Sequence, residues 1–133
     1  MNYQFGYAWL ALSASLAIHV ADEALTDFLP LYNRNVMAIR RRIPFLPLPT
    51  FRFRIWLGLL LSGTAVLFAL SPFAFRAAPW IISASQIFGW IMLANGGWHI
   101  TASIVMRRWM PGVYSSPLLL AVSTWLLWAA RAR

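Results

Sequence analysis

The chain has 133 residues, of which 61% are apolar and only 11% are charged. That composition leaves too little polar surface to coat a water-soluble domain, so lipid is the expected solvent for much of the chain. Cysteine is absent, which excludes structural disulfides, thiolate metal sites and cysteine nucleophiles.

Positive charge comes from eleven arginines, against three acidic residues, and gives a formal net charge of +8. A nucleic-acid-binding protein would place its basic residues over one solvated face or stripe. Here the arginines stand between long uncharged segments instead. They therefore predict membrane topology and contacts with lipid headgroups, and no nucleic-acid partner is expected.

Four segments are apolar and long enough to be membrane spans. A helix rises about 1.5 Å per residue and the hydrocarbon core is roughly 30 Å thick, so a span needs about 20 apolar residues. The segments are about 7–29, 55–75, 79–106 and 113–130. They predict an all-α integral membrane bundle of four transmembrane helices, in a single domain over residues 1–133. Pro30 is expected to end the first span.

Residues 30–54 form the connection between the first two spans and carry six arginines. Two more arginines lie between the third and fourth spans, and the opposite side of the membrane has three. The positive-inside rule places this basic loop in the cytoplasm and both termini outside. We expect a topology-setting connector here rather than a protein-binding or lipid-binding segment. The use of arginine alone is typical of a GC-rich bacterial genome and predicts the bacterial inner membrane.

Two of the predicted spans carry polar residues that are costly in a bilayer. An ionisable residue inside a span costs roughly 3 kcal/mol even on the most lenient scale, so such side chains should face the bundle interior. At about 100° per residue, His19, Asp22 and Glu23 share one face of the first span. Asn95 and His99 share a narrow face of the third span. Because both spans run in the same direction, the two polar faces are expected at matching depths.

The two polar faces predict a metal site. His19, Glu23 and His99 are the expected ligands, because two imidazoles and one carboxylate can hold a divalent metal such as zinc or iron. Asp22 or Asn95 is expected to supply a fourth ligand or to orient an imidazole from outside the ligand set. Asp22 and Glu23 are also the candidate catalytic acid–base residues. The alternative interpretation is an interhelical hydrogen-bond cluster that only fixes helix packing.

The segment His19-Val-Ala-Asp22-Glu23 resembles the motif of a family of small integral membrane proteins named for H-x-x-E-E, with Asp22 in place of the first Glu. That family has a second His, which His99 matches, and a Tyr-x-Pro-Gly motif before the last span. Here Trp109-Met-Pro-Gly112 stands at that place, and its Pro-Gly pair predicts the turn into the last span. The resemblance implies a membrane protein of poorly defined biochemistry with a metal site, and it implies no reaction.

Three functions are consistent with these residues. The first is a membrane-embedded enzyme, a metal-dependent hydrolase or isomerase that acts on a lipid or isoprenoid substrate. The second is a non-enzymatic subunit or assembly factor of a larger membrane complex, whose histidines are structural or bind a pigment or haem. The third is an ion or proton carrier with Asp22 and Glu23 as its relay. Membrane lipid is an expected partner, and the many aromatic residues favour a homo-oligomer or a larger complex.

Overall fold

The computed structural model describes residues 3–132, so Met1, Asn2 and Arg133 of the predicted domain lie outside the described residues. Residues 3–132 fold into helices joined by turns and irregular segments. In chain order the helices are α1 (Tyr3–Leu25), α2 (Phe28–Arg42), α3 (Phe53–Ala69), α4 (Ser71–Phe75), α5 (Pro79–Met106) and α6 (Ser116–Arg131). The all-α prediction is confirmed for these residues.

Two stretches are long and apolar enough to cross a membrane. They are Tyr3–Leu25, which is α1, and Phe53–Phe75, which contains α3 and α4. Most of the second stretch is not covered by the rest of the chain. Large apolar side chains on α5 are also exposed, among them Ile87 at 67% and Ile104 at 71%. Soluble monomers rarely leave apolar surface of this extent uncovered. The bundle of four transmembrane helices stays a prediction.

Helix α1 lies at the centre of the fold. It packs against α6 on one side and against α3 and α4 on another, whereas α5 packs mainly on α6. The buried apolar core lies between these helices and includes Phe5, Trp9, Leu12, Ile81, Leu119 and Leu126. The indole of Trp9 is satisfied there, because it donates a hydrogen bond to the Leu67 carbonyl at 2.9 Å. The packing of α6 on α1 places the turn before α6 beside the polar face of α1.

The first helix ends earlier than the sequence predicted. It stops at Leu25, and Asp27 takes a left-handed backbone conformation with φ 59° and ψ 36° that leads into α2. Pro30 does not end the first span, which corrects the prediction, because it lies in the first turn of α2. Its missing N–H costs nothing there, since the first N–H groups of a helix have no partner within it.

Helix α2 occupies much of the segment that was predicted to be a loop. Leu29 and Val36 are buried, and the basic residues at the end of the helix are exposed. The irregular residues 43–52 then run back along α2. Asn33 fixes their return, because its side-chain amide donates to the Phe51 carbonyl at 2.8 Å and accepts the Phe51 N–H at 3.0 Å. This arrangement holds the start of α2 beside the polar residues of α1 and α5.

Candidate metal centre

His19 and Glu23 lie one turn apart on α1, and His99 reaches them from α5. The Oε1 atom of Glu23 is 3.1 Å from Nε2 of His99 and 3.6 Å from Nε2 of His19. The ligand atoms of the three residues all lie within 4.8 Å of one another. All three side chains are buried, with Glu23 only 6% exposed. The prediction that these three residues come together is confirmed.

A hydroxyl group fixes the ring of His19. The Nδ1 atom of His19 lies 2.7 Å from Oγ of Ser115, and this hydroxyl donates its proton to Oδ2 of Asp22 at 2.7 Å. A serine has one hydroxyl proton, so Ser115 accepts the bond from His19, and Nδ1 carries a proton. The Nε2 atom, which faces Glu23, is therefore the nitrogen left for a metal ion or a second proton.

A backbone carbonyl fixes the ring of His99, again through its Nδ1 atom. Its Nδ1 atom lies 2.5 Å from the carbonyl oxygen of Pro111, which can only accept, so this Nδ1 also carries a proton. Its buried Nε2 atom has no hydrogen-bond partner among residues 3–132. That atom points at the Glu23 carboxylate. Both histidines thus present the same ring nitrogen to one acidic side chain.

The turn between α5 and α6 is bound tightly to the cluster. The Gly112 N–H donates to Oγ1 of Thr26 at 3.3 Å, and the Ser115 N–H donates to Asp22 at 2.8 Å. Gly112 has a φ of 82°, and a Cβ atom there would lie 2.7 Å from Cε1 of His99. The Pro-Gly turn predicted from the sequence is present over residues 111–115. It also forms the wall against which the His99 ring rests.

The remaining predicted residues lie around the cluster. Nδ2 of Asn95 is 3.3 Å from Nε2 of His19. Asp22 lies on the opposite side of the His19 ring, and the Ser115 hydroxyl connects the two side chains. The catalytic and orienting roles of Asp22 and Asn95 stay predictions. Sequence reasoning missed Ser115. Its one signal is its position shortly after the Pro-Gly pair, near the start of the last predicted span.

Three acceptor atoms meet at the centre of the cluster. Each Nδ1 atom is already a donor to another group, so a neutral imidazole offers only a lone pair at Nε2, and a carboxylate offers only lone pairs. The lone pairs of the Glu23 oxygen and of Nε2 of His99, 3.1 Å apart, repel one another unless a cation lies between them. Nε2 of His19 lies 3.6 Å from the same oxygen and can also accept a hydrogen bond from the Asn95 amide at 3.3 Å. Either protons on the Nε2 atoms or a metal ion can supply that charge. Two imidazole nitrogens and a carboxylate oxygen suit zinc or iron.

Two cavities approach the cluster on either side of Phe28, whose ring lies 5.5 Å from that of His99. One cavity of about 220 Å³ is lined by Glu23, Phe28 and Trp56 among others. The other, of about 250 Å³, is lined by His99, Phe28 and mainly apolar side chains of α2 and α5. Each cavity therefore reaches one residue of the cluster, Glu23 in the first and His99 in the second.

The fold and the site define a small helical protein with an apolar exterior and a buried cluster of two histidines and one glutamate. The chain belongs to the family described as proteins of unknown function with an HXXEE motif, which matches residues 9–126. This match confirms the resemblance seen in the motif residues, and it spans His19, Glu23 and His99. No curated protein and no solved structure matches the chain.

Proposed function

We propose that this chain is a membrane-embedded metalloenzyme that binds one divalent ion, zinc or iron, and acts on a lipid-like substrate. The ligands are Nε2 of His19, Nε2 of His99 and a carboxylate oxygen of Glu23. The convergence of these three acceptor atoms in a buried site carries the proposal, because both Nδ1 atoms are already committed to other partners. The exposed apolar surface supports a location in the bilayer.

The residues around the ligands are suited to hold such an ion. A bound divalent ion would supply Lewis-acid activation of water or of a carbonyl or phosphoryl oxygen. Asp22, acting through Ser115, keeps the Nε2 atom of His19 directed at the centre of the cluster. Rotation of the Asn95 amide would present its oxygen to the same centre. The apolar cavities beside Glu23 and His99 support a lipid-like substrate, and hydrolysis or isomerisation is the reaction that we propose for it.

The first prediction concerns metal content. Protein purified without chelator and supplied with zinc or iron should bind about one ion per chain, measured by plasma mass spectrometry. His19→Ala and His99→Ala should each abolish stoichiometric binding, because each removes one of three ligands. Gln86→Ala, on α5 but outside the cluster, is the control and should bind as the wild type does. Wild-type metal binding in both histidine variants, or no metal binding by the wild type, would refute the metal site.

The second prediction concerns the hydroxyl that orients His19. Ser115→Ala should weaken metal binding by roughly 10- to 100-fold, the usual effect of removing a group that orients a ligand. Ser116→Ala is the matched control, since Ser116 is the next residue and is also buried, but its hydroxyl donates to the Gly112 carbonyl, at 2.7 Å, and not to the cluster. Competition with a metal indicator gives both affinities. An equal loss in the two variants would show that the effect is general destabilisation.

A proton relay is the second candidate function, and a continuous path favours it. Asp22, Ser115, His19, Glu23 and His99 form a chain of neighbouring polar groups, with each step between 2.7 and 3.6 Å. Protein that binds no metal but carries protons across vesicle membranes would support this relay over the metalloenzyme. Haem is less well matched by this geometry. The two imidazole rings lie edge to face with centroids 4.9 Å apart, and Glu23 contacts both.

A further inference from the structure

Two neighbouring cavities lie along α2, one with a charged lining and the other with an apolar lining. The charged cavity has a volume of about 480 Å³, within the roughly 300–1,000 Å³ common for small-molecule sites, and Arg34 and Arg108 line it. The apolar cavity is the one that ends at His99. Leu31, Met110 and Pro111 line both cavities, so the two adjoin at these residues. Together they are called the groove, which has a charged end and an apolar end.

The apolar end is suited to a hydrocarbon chain. Its walls include Val36 and Ile39 from α2, Leu48 from the returning segment, and Trp98 and Ala102 from α5. These side chains come from three separate parts of the chain, so the cavity is a feature of the tertiary fold rather than of one helix. Burying each methylene group of a hydrocarbon chain in such a place is favourable. A chain of several methylenes therefore gains substantial affinity here.

The charged end is suited to an anion. Arg34 comes from α2 and Arg108 from the segment after α5, and neither forms an ion pair with a carboxylate within residues 3–132. Asp27 lines the same cavity, so its net charge is positive with two arginines against one acid. Guanidinium groups present paired N–H donors that match the oxygens of a phosphate or a carboxylate. This end therefore has charge complementary to an anionic headgroup.

We propose that the groove binds a single-chain amphiphile with an anionic headgroup. The headgroup lies between Arg34 and Arg108, and the chain lies under α2 with part of it beside His99. Such an amphiphile is then the substrate class of the proposed metalloenzyme. The inference rests on that proposed function only for the reaction at the metal. Binding of the amphiphile itself needs no ion. The shared chemistry is an oxyanion on an alkyl chain, and phosphate and carboxylate headgroups are its two sources.

The test is a titration of the full chain in a neutral maltoside detergent, with bound ligand counted by native mass spectrometry. Dodecyl phosphate and dodecanoate are the probes for the two headgroups, and tighter binding of either than of dodecanol is expected. Arg34→Gln combined with Arg108→Gln should weaken that binding at least about tenfold. Arg40→Gln combined with Arg41→Gln is the matched control, since it removes the same charge from α2 outside the groove. It should change binding less than about twofold.

Further arms separate the groove from general electrostatics and from the metal site. Ala102→Phe should fill the apolar end and weaken dodecyl phosphate at least about tenfold, and inorganic phosphate should bind far more weakly than dodecyl phosphate because it has no chain. His19→Ala should keep amphiphile binding even though it loses the ion. An equal loss in both arginine pairs would overturn the proposal, as would dodecanol binding as tightly as the anionic probes. A missing ion alone would refute the metalloenzyme and leave the groove intact.

Discussion

Glu23→Gln should weaken divalent metal binding by more than roughly 100-fold, beyond the range seen when only a group outside the ligand set is lost. The variant keeps the size of the side chain but removes the one anionic ligand, whose Oε1 atom faces both Nε2 atoms. Asp27→Asn is the matched control. It removes one carboxylate nearby, it is exposed, and its left-handed backbone suits asparagine. Isothermal titration of both variants gives the comparison.

The same variant separates the metal site from a purely structural cluster by the sign of its effect on stability. In metal-free protein the introduced amide can donate to the two lone pairs, so thermal stability should be unchanged or higher than that of the metal-free wild type. If the cluster is instead a buried ion pair with protonated histidine, Glu23→Gln breaks it. The loss would then be about 3–5 kcal/mol in the free energy of unfolding. Such a loss, with no change in metal binding, would contradict the proposed site.

The meeting of His19, Glu23 and His99 could be predicted because it depends on regular helix geometry. The spacing of residues on a helix fixes which side chains share a face, and the cost of ionisable groups in lipid directs that face inward. The position of each residue along its predicted span then predicts that the three side chains lie at the same depth in the bilayer. These steps depend on the order and direction of the spans, and not on the path of the turns that connect them.

The groups that orient the imidazoles could not be predicted in this way. Pro111 acts through its carbonyl oxygen and Ser115 through a hydroxyl that lies in a turn. Their positions depend on the path of the turn between α5 and α6, which helical periodicity does not describe. A backbone carbonyl also has no signature in a sequence, because every residue carries one.

Helix α2 was missed for a related reason. On sequence alone, Pro30 predicts the end of the first span, because proline breaks a helix interior. The same residue is well tolerated in the first turn of a new helix, where its fixed φ is already helical. The sequence alone does not separate these two cases. The left-handed backbone conformation of Asp27, which separates α1 from α2, is seen only in the structure.

Gly112→Ala should disrupt the metal centre without altering any ligand. The φ of 82° at this position costs an alanine about 1–2 kcal/mol. The new Cβ would also lie 2.7 Å from Cε1 and 2.8 Å from Nδ1 of His99. The ring cannot move away without losing its bond to Pro111. We expect a loss of about 2–4 kcal/mol in the free energy of unfolding and a metal affinity at least about tenfold weaker.

Gly97→Ala is the matched control for this substitution. A Cβ at Gly97 would meet no heavy atom within 4 Å, and alanine in a helix interior is favoured over glycine by roughly 0.5–1 kcal/mol. A double-mutant cycle with His99→Ala then separates the two costs at Gly112. Without the imidazole the contact disappears, so Gly112→Ala should cost only the backbone term of about 1–2 kcal/mol. Additive effects in that cycle would show that the turn does not hold the His99 ring, and the tautomer assigned to His99 would lose its structural basis.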